Sequence, residues 1–481
     1  MTIDPGGIAT GEGIGSPRPK GCIRSWKPWT WRTIRSQLVG PGNIPSGEVF
    51  GTPELQSIVR QILAAGNISS LQAVGTPIIH ASIEIWAASP ALADVQAAIA
   101  EAAEGDTVRI PAGSATWASQ LYINKGIYLV GAGIGSTNIK SGFTPAAKYD
   151  YRCALIAYIP SSPALNGAFD LSGISYDLDK KTNWIWLGNS SLSPLTKIRL
   201  HHNYITKPAV RQILVRGTIY GVADHNTMIG GYNVISAYGY DGTAWTNLTF
   251  SFGDANTFFL EDNTISCDDG VTESADAGRY CFRHNTVTVI NGTAGWPICD
   301  AHGNMGTGNE HSTMGMEIYE NAINAGGYAI RLFDHRGGMG LVFNNAISNG
   351  SADSQTREEH NDNLNAPAVG PGGQPQYVSS SYYWNNKYGS TLIVPTIPQT
   401  IDYGGTIGVV PRWNVNCWNE EASFDGSSGV GVGLKSARPA SGLTVGVGYW
   451  ATDENKLYRA IGPSSWELYY QPYTYPHPLA I

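Results

Sequence analysis

The sequence predicts an all-β solenoid, a parallel β-helix, because one short phrase with a single asparagine returns along the chain. In "FFLEDNTI" and "YCFRHNTV", alternating apolar residues precede a polar residue, the asparagine and a further apolar residue. Alternation of this kind indicates strands rather than helices, and a period of roughly 20 to 50 residues is typical of solenoids and propellers. The repeating asparagines are Asn203, Asn226, Asn263, Asn285, Asn321, Asn345 and, in a looser version of the phrase, Asn386.

The spacing of these asparagines predicts the size of a coil and the places where loops leave it. Short spacings of 22 to 24 residues alternate with long ones of 36 to 41. We expect one coil per short spacing, with the asparagine side chains stacked as a hydrogen-bonded ladder at the ~4.8 Å separation of neighbouring strands. The long spacings predict insertions at about 231–250, 291–314 and 351–380, on one side of the ladder, where they would build a binding surface.

The composition excludes several classes of protein. Charged residues make up 14% of the 481 positions, glycine is abundant, and the net charge of −8 argues against nucleic acid as a bulk partner. The chain has no run of 18 apolar residues, so the sequence predicts no membrane insertion. Its six cysteines include no CxxC pair, so we expect free thiols and no zinc site. The N-terminus lacks the basic and apolar stretches of a secretory signal.

Three parts follow one another along the chain. Residues 1–89 hold three turn-rich segments of the type Gly-x-Ile-x-(Ser/Thr), each ending in Gly-(Ser/Thr)-Pro, with too few apolar residues for a core of their own. Residues 90–410 begin with an amphipathic helix that Gly105 would end, and this helix would cap the open end of the solenoid. Residues 411–481 are rich in tyrosine and tryptophan and predict a small β module with a hairpin around "TDENKLY".

Two segments after Pro90 resemble a known superfamily. "DVQAAIAEAAEGDTVRIPAG" and "INKGIYLVGAG" are similar to the N-terminal coil of pectin-lyase-like, right-handed parallel β-helix proteins. The resemblance implies a right-handed parallel β-helix from about residue 90 to residue 400. The superfamily includes polysaccharide lyases, glycoside hydrolases, esterases and phage tailspikes. The N-terminal segments resemble repeats of phage virion and tail proteins, which implies an extracellular, virion-associated homo-oligomer, a trimer, attached to other virion proteins through residues 1–89.

Acid-histidine pairs supply the candidate catalytic residues. Glu310-His311 and Asp334-His335 lie at the same two offsets before their ladder asparagines, and Glu359-His360 follows about one coil later. Stacked on a solvent face, each imidazole would be oriented by a carboxylate and could act as a general acid or base. The alternative is a solvated face that carries histidines by chance. We assign catalytic roles to His311, His335, Asp334 and Arg331.

Further residues near this column are candidates for substrate binding. A uronate lyase needs cations to neutralise a carboxylate and a base to take a proton, whereas a hydrolase needs two carboxylates about 5 to 9.5 Å apart. Asp268, Asp269, Asp276 and Asp300 are additional hydrolase candidates. The substrate-binding residues assigned from the sequence are Arg279, His302, Glu310, Arg336 and His360.

The sequence leaves three functions open. The first is a phage tailspike-like virion protein that engages, and could depolymerise, a surface polysaccharide. The second is a free polysaccharide lyase or glycoside hydrolase of bacterial origin, and the third is a structural virion protein without a glycan site. No metal site and no cofactor is assigned, although acid clusters could hold Ca²⁺ through their oxygens.

Overall fold

The computed structural model describes residues 82–146, 150–161, 167–240, 242–304, 311–359, 375–398, 401–402 and 410–481. Nearly all regular structure in these residues is strand, arranged as three long sheets that run side by side. The predictions for residues 1–81, including the three N-terminal repeats, lie outside the described residues.

The three sheets take one strand from each successive coil. Sheet 1 contains β1 (Glu84–Trp86), β2 (Thr107–Ile110), β5 (Tyr128–Gly131), β8 (Phe169–Ser172), β11 (Leu195–His201), β14 (Ile219–Asp224), β17 (Phe258–Glu261), β20 (Arg279–Arg283), β23 (Gly315–Tyr319), β26 (Met339–Phe343), β30 (Ser381–Trp384) and β34 (Cys417–Asn419). Sheet 2 contains β3 (Gly113–Trp117), β6 (Thr137–Ser141), β9 (Ser175–Asp177), β12 (Tyr204–Thr206), β15 (Thr227–Ile229), β18 (Thr264–Cys267), β21 (Thr286–Val289), β24 (Ala322–Asn324), β27 (Ala346–Ser348), β31 (Lys387–Tyr388) and β32 (Thr391–Leu392). Sheet 3 contains β4 (Leu121–Ile123), β7 (Ala154–Tyr158), β10 (Asn183–Asn189), β13 (Ile213–Gly217), β16 (Ile235–Tyr238), β19 (Thr272–Ala275), β22 (Pro297–Ala301), β25 (Ala329–His335) and β28 (Ser351–Thr356).

Neighbouring strands within each of the three sheets are parallel, apart from the antiparallel pair of β31 and β32 that ends sheet 2. The chain passes from sheet 1 to sheet 2 to sheet 3 and back, and such crossovers between parallel strands are right-handed in about 98% of cases. A single apolar core runs through the middle of the coils. The predicted right-handed parallel β-helix is therefore confirmed.

The ladder of asparagines stands where sheet 1 turns into sheet 2. Each amide nitrogen donates to the amide oxygen of the next ladder residue, over 2.8–3.1 Å from Asn203 to Asn386, and all seven side chains are buried. The residue before each asparagine has a positive φ, 51° at His202 and 55° at His284, which makes the sharp turn. The ladder thus satisfies backbone and side-chain groups that the turn would leave unpaired inside the protein.

Helix α1 (Leu92–Glu101) closes the N-terminal end of the β-helix. It buries Val95, Ala98 and Ile99 against strands β1 to β4. The predicted capping helix is confirmed, but it ends at Glu101 rather than at Gly105, because Ala102 already has extended backbone dihedrals. Gly105, with φ +82°, forms the turn that follows.

The predicted insertions all leave one corner, between sheet 3 and sheet 1. They begin later than expected, because residues 235–238 and 297–301 are sheet 3 strands rather than loop. The first connection includes the short helix α2 (Gly242–Asn247), and the third includes β29 (Glu358–Glu359), which pairs with β33 (Ile401–Asp402). Trp245 of α2 is fully buried and donates to the carbonyl of Ser312 over 2.8 Å, so two connections pack together.

The C-terminal residues form a further, four-stranded sheet of β35 (Val430–Gly433), β36 (Gly448–Ala451), β37 (Lys456–Gly462) and β38 (Ser465–Tyr470). Strands β36 and β37 form the predicted hairpin. The sheet packs on the outer face of sheet 1, where Trp450 and Tyr470 join an apolar cluster with Phe259, Leu341 and Phe343. Most aromatic residues of this part therefore form core.

Residues 471–481, hereafter the C-terminal segment, extend this cover along sheet 1. The buried guanidinium of Arg283 donates to the carbonyls of Tyr473 (2.7 Å) and Thr474 (2.8 Å), and the amide of His477 donates to Glu261 (2.7 Å). Arg199 donates to the carbonyl of Ala480 over 3.0 Å.

Glu317 is a buried carboxyl between sheet 1 and the four-stranded sheet. We expect its replacement by glutamine to remove a pH dependence of the free energy of unfolding. It accepts hydrogen bonds from Tyr470 (2.7 Å) and Gly253 (2.9 Å), and burial raises its pKa from 4.5 to about 7. Between these two pH values the folded chain keeps a proton that the unfolded chain has lost, so stability is full below pH 4.5 and falls as the pH rises to about 7. The difference amounts to about 3 kcal/mol.

Denaturant unfolding of the wild type and of Glu317→Gln across this pH range measures the effect. Glu467→Gln, at a partly exposed ion pair with Arg459, is the matched control and should keep the wild-type dependence. An unchanged slope in Glu317→Gln would show that this carboxyl is not the source.

Five cysteines in the described residues are buried free thiols, as expected. Neither helix in this part of the chain is long and apolar enough to cross a membrane.

Candidate functional site

Three carboxylates lie side by side on the outer face of sheet 3. Glu273 of β19 pairs in register with Asp300 of β22, and Asp300 pairs with Asp334 of β25. Their neighbours in sequence, such as Cys299 and Phe333, point into the apolar core, so the alternation of the strands turns the three acids outward. Neighbouring carboxylates are therefore about one strand spacing (~4.8 Å) apart, and the outer two about twice that.

Arg336 and His302 join these acids at the point where the sheet 3 strands end. The Arg336 guanidinium donates to Asp300 over 3.0 Å and also to Glu359, which follows β28. His302 lies 3.2 Å from Glu359, 3.4 Å from Asp300 and 3.5 Å from Glu273. Glu273, Asp300, His302, Arg336 and Glu359 are called the charge cluster below.

Glu273 connects the charge cluster to strand β16 and to Arg211, which precedes β13. It accepts hydrogen bonds from Arg211 (2.6 Å), Tyr238 (2.7 Å) and Ser236 (3.1 Å). On the other side of the charge cluster, Arg357 donates to Asp334 over 2.7 Å. Side chains from six successive coils are thus held in one hydrogen-bonded surface.

The proximity of opposite charges shifts the pKa values of this surface. Burial by itself would lower the pKa of His302, but Asp300, Glu273 and Glu359 outweigh burial and raise it to about 10, so the imidazole is protonated at neutral pH. Burial would raise the pKa of Glu359, but His302 and Arg336 lower it to about 2. The pKa of Glu273 is lowered for the same reason, by His302 and Arg211 against its burial. Perturbed, paired groups of this kind are more frequent at functional sites than elsewhere.

A stack of aromatic rings and a guanidinium continues the surface towards the N-terminal coils. The Arg216 guanidinium lies 3.6 Å from the ring centre of Tyr238 and 5.6 Å from that of Trp186. Trp186 folds over Gly188, where a Cβ would lie 2.9 Å from the indole nitrogen. All three side chains are partly exposed. Planar, amphipathic groups beside fixed polar groups are typical lining for a ligand site.

His335 was predicted to face solvent, and this prediction is wrong. Asp334 points outward, but the alternation of β25 turns His335 into the interior, where it is fully buried. Its ring contacts the Tyr383 hydroxyl (2.8 Å) and the Gly337 carbonyl (3.0 Å), and burial lowers its pKa to about 4. A neutral, enclosed imidazole cannot touch a glycan, so His335 is a core residue.

The equal offsets of the two acid-histidine pairs do not place them in one column. His311 lies in the connection before β23, and its backbone amide donates to Asp276 over 2.8 Å. His335 lies at the end of a sheet 3 strand, because the insertion before β23 has no counterpart of the same length in the next coil. Glu310 and His360, the other halves of these pairs, lie outside the described residues.

The remaining predicted residues divide between the site and other regions. His302 and Arg336 are in the charge cluster, and Arg331 reaches its edge, 3.9 Å from Asp334, while donating to Asp353 over 3.0 Å. Arg279 is instead buried on sheet 1, near the rings of Tyr220 (5.9 Å) and Phe250 (5.4 Å). It lies on sheet 1 rather than in the charge cluster, and its role in substrate binding stays a prediction.

The sequence named Asp300 and Asp334 as candidates but missed Glu273 and the stacking of the three acids. Glu273, Asp300 and Asp334 lie 10, 15 and 13 residues after the ladder asparagine of their own coils, because the turn between sheets 2 and 3 varies in length. Counting residues from the ladder asparagine therefore does not show that the three acids are neighbours. An alignment of the sheet 3 strands by their inward-pointing apolar residues would have placed the three acids at equivalent positions.

The arrangement is better suited to holding a polar ligand than to breaking a bond. Glu273, Asp300, Asp334 and Glu359 each face a guanidinium or imidazolium, and the proton of His302 is held strongly. The spacing of neighbouring acids resembles that of retaining glycosidases, about 5 to 5.5 Å, but a nucleophile or base must first be released from its cation. The same pairing disfavours Ca²⁺ at these carboxylates.

The three sheets define the chain as a right-handed parallel β-helix protein. No family model and no curated protein matches the sequence. Among solved structures, ORF18 of Geobacillus virus E2 is similar at 14% identity and a TM-score of 0.34, over 73% of this chain, and the chain spans 64% of that protein's length.

Two further solved structures are similar to the chain. The family 28 exopolygalacturonase of Yersinia enterocolitica has 12% identity and a TM-score of 0.39, over 72% of this chain and 68% of the enzyme. Tailspike protein 3 of bacteriophage CBA120 has 11% identity and a TM-score of 0.23, over 89% of this chain and 71% of the tailspike. These similarities concern the fold, and the chemistry must be argued from the site.

Proposed function

We propose that this chain is a polysaccharide-binding β-helix protein whose ligand lies along the outer face of sheet 3. The observation that carries the proposal is the continuity of the surface: the Trp186–Arg216–Tyr238 stack leads directly into the charge cluster through the hydrogen bond between Tyr238 and Glu273. An extended ligand with many hydroxyl groups, repeating along the solenoid axis, fits a row of apolar ring faces followed by a row of fixed donors and acceptors.

The biological location of the protein is part of the same proposal. We infer a phage virion protein of tailspike type with three parts, residues 1–89, 90–410 and 411–481. The first part attaches to other virion proteins, and the chain assembles as a homotrimer. The three Gly-x-Ile-x-(Ser/Thr) segments of the N-terminal part support this inference. A free polysaccharide lyase or glycoside hydrolase is the second candidate, favoured by the stacked carboxylates at glycosidase spacing.

Replacing Trp186 with alanine tests the binding surface. Because its partly exposed ring forms one face of the stack, we expect about tenfold weaker polysaccharide binding with little change in melting temperature. Affinity electrophoresis in gels that contain polygalacturonate, alginate, dextran or a bacterial surface polysaccharide measures the effect.

Trp86→Ala is the matched control, because Trp86 is exposed on β1 of sheet 1, away from the charge cluster. It should bind like the wild type. The proposal fails if no gel retards the wild type, or if Trp186→Ala is retarded equally. New reducing ends, with or without the ultraviolet absorbance of an unsaturated uronate, would assign the chain to the hydrolase or lyase alternative.

A further inference from the structure

Three histidine rings and two carboxylates meet at the corner between sheets 1 and 2, on another part of the β-helix than the charge cluster. His201 is the last residue of β11, and Asp224 is the last residue of β14. His202 and His225 come directly after these strands, in the left-handed turns (φ 51° and 53°) that precede two ladder asparagines. His201, His202 and His225, with Asp170 and Asp224, are called the histidine corner below.

The geometry of the turns brings nitrogen atoms of the histidine corner together. Because His202 and His225 occupy equivalent positions on adjacent coils, their rings are parallel within 1° and 5.1 Å apart. The ring of His201 is perpendicular to that of His202, and their Nδ1 atoms are 2.8 Å apart. One ligand atom each of His201, His202 and Asp224 lies within 4.8 Å of the other two.

Carboxylates behind the rings determine which nitrogens are available. Nε2 of His201 lies 3.0 and 3.2 Å from the two oxygens of Asp170, so this nitrogen carries the proton and the Nδ1 lone pair points towards His202. Nδ1 of His225 is similarly held by Asp224, at 2.9 Å. A carboxylate that binds the remote nitrogen of an imidazole is the usual second layer of a metal site, where it orients the ring and increases its basicity.

We propose that the histidine corner binds a divalent transition-metal ion, with Nδ1 of His201 and Nδ1 of His202 as protein ligands. Both oxygens of Asp224 already accept from Arg199, at 2.9 and 2.8 Å, so the ion is held mainly by imidazole nitrogen and water. Zn²⁺, Ni²⁺ and Cu²⁺ prefer such ligands, whereas Ca²⁺ and Mg²⁺ prefer oxygen. A small ring rotation opens the nitrogen separation to the roughly 3.3 Å of a tetrahedral site.

The exposure of His202 agrees with this assignment. Its side chain is exposed, so an ion can reach the site and keep water in its remaining positions.

Isothermal titration of the metal-free full chain with Zn²⁺, Ni²⁺ and Ca²⁺ tests the proposal. We expect the His201→Ala/His202→Ala double variant to lose one Zn²⁺ per chain, and Asp170→Asn to bind that ion about tenfold more weakly. Zn²⁺ should raise the melting temperature of the wild type but not of the double variant. Co²⁺ in place of Zn²⁺ adds an absorption spectrum that reports nitrogen ligation directly.

His284→Ala is the matched control, because His284 has the same turn position (φ 55°) but faces Glu320 and Tyr475 rather than a second histidine. It should keep the full stoichiometry. The proposal is overturned if the double variant, folded by circular dichroism, binds as many Zn²⁺ ions with the same affinity, or if Ca²⁺ competes equally for the site. Should the double variant fail to fold, an unchanged affinity in Asp170→Asn would overturn it instead.

Discussion

Replacing Arg283 with methionine is expected to lower the free energy of unfolding by about 3–5 kcal/mol. The guanidinium is completely buried and donates to Glu261 over 2.7 Å, to the Tyr319 hydroxyl over 2.9 Å and to two carbonyls of the C-terminal segment. Methionine keeps part of the volume but leaves the Glu261 carboxylate without its cation, and burial already raises the pKa of that group. We therefore expect both destabilisation and release of the C-terminal segment.

Denaturant unfolding and amide hydrogen exchange of residues 471–481 measure the two effects separately. The double variant Glu261→Gln/Arg283→Met should recover part of the loss, because it no longer buries an unpaired charge. Arg109→Ala removes a partly exposed ion pair with Glu84 and should cost only about 0–1 kcal/mol. A loss of that size in Arg283→Met, with unchanged exchange, would contradict the role assigned to this residue.

Replacing Asn263 with alanine is expected to cost about 3–5 kcal/mol, because several buried groups lose their partners together. The Asn263 amide nitrogen donates to the carbonyls of Ala223 (2.8 Å) and Glu261 (3.0 Å) and to Asn285 (3.0 Å). Its oxygen accepts from the backbone and side-chain nitrogens of Asn226, both at 3.0 Å. The substitution therefore interrupts the ladder in both directions.

Asn263→Asp separates hydrogen bonding from packing, since it keeps the shape but loses both donors. It should be at least as destabilising as alanine in denaturant unfolding. Asn256→Ala is the control, because this exposed loop asparagine interacts only with Asp254 among the hydrogen bonds of the described chain, and we expect a change within about 0.5 kcal/mol. If Asn263→Asp were as stable as the wild type, shape rather than the ladder would hold the turn.

The fold was predictable from the sequence because its repeating element is local. Each ladder asparagine sits a fixed two residues after a sheet 1 strand and directly after a left-handed residue, so its neighbours in sequence are also its neighbours in space. The strands of residues 107–131 and the hairpin near residue 452 follow from alternation and turn chemistry in the same way.

The candidate site was predictable only in part because its contacts are remote in sequence. Glu359 meets His302 across 57 residues, and Arg211 meets Glu273 across 62. The length of the preceding turn determines which face of sheet 3 a residue occupies. A turn that is one residue longer or shorter moves the side chain to the opposite face. His335, expected at the solvent, is turned into the core, whereas its neighbours Asp334 and Arg336 join the ion pairs on the outer face of sheet 3.

The sheet 1 strands from β14 to β26 come earlier in the sequence than the four-stranded sheet that covers their outer face. While the ribosome makes the protein, at about 5–20 residues per second, Val222, Phe259 and Leu341 emerge as part of completed coils before Val430 to Tyr470 exist to cover them. A nascent chain of this protein therefore displays an apolar strip whose length grows with every coil. Until synthesis reaches the residues that cover this strip, the strip is open to association with neighbouring chains.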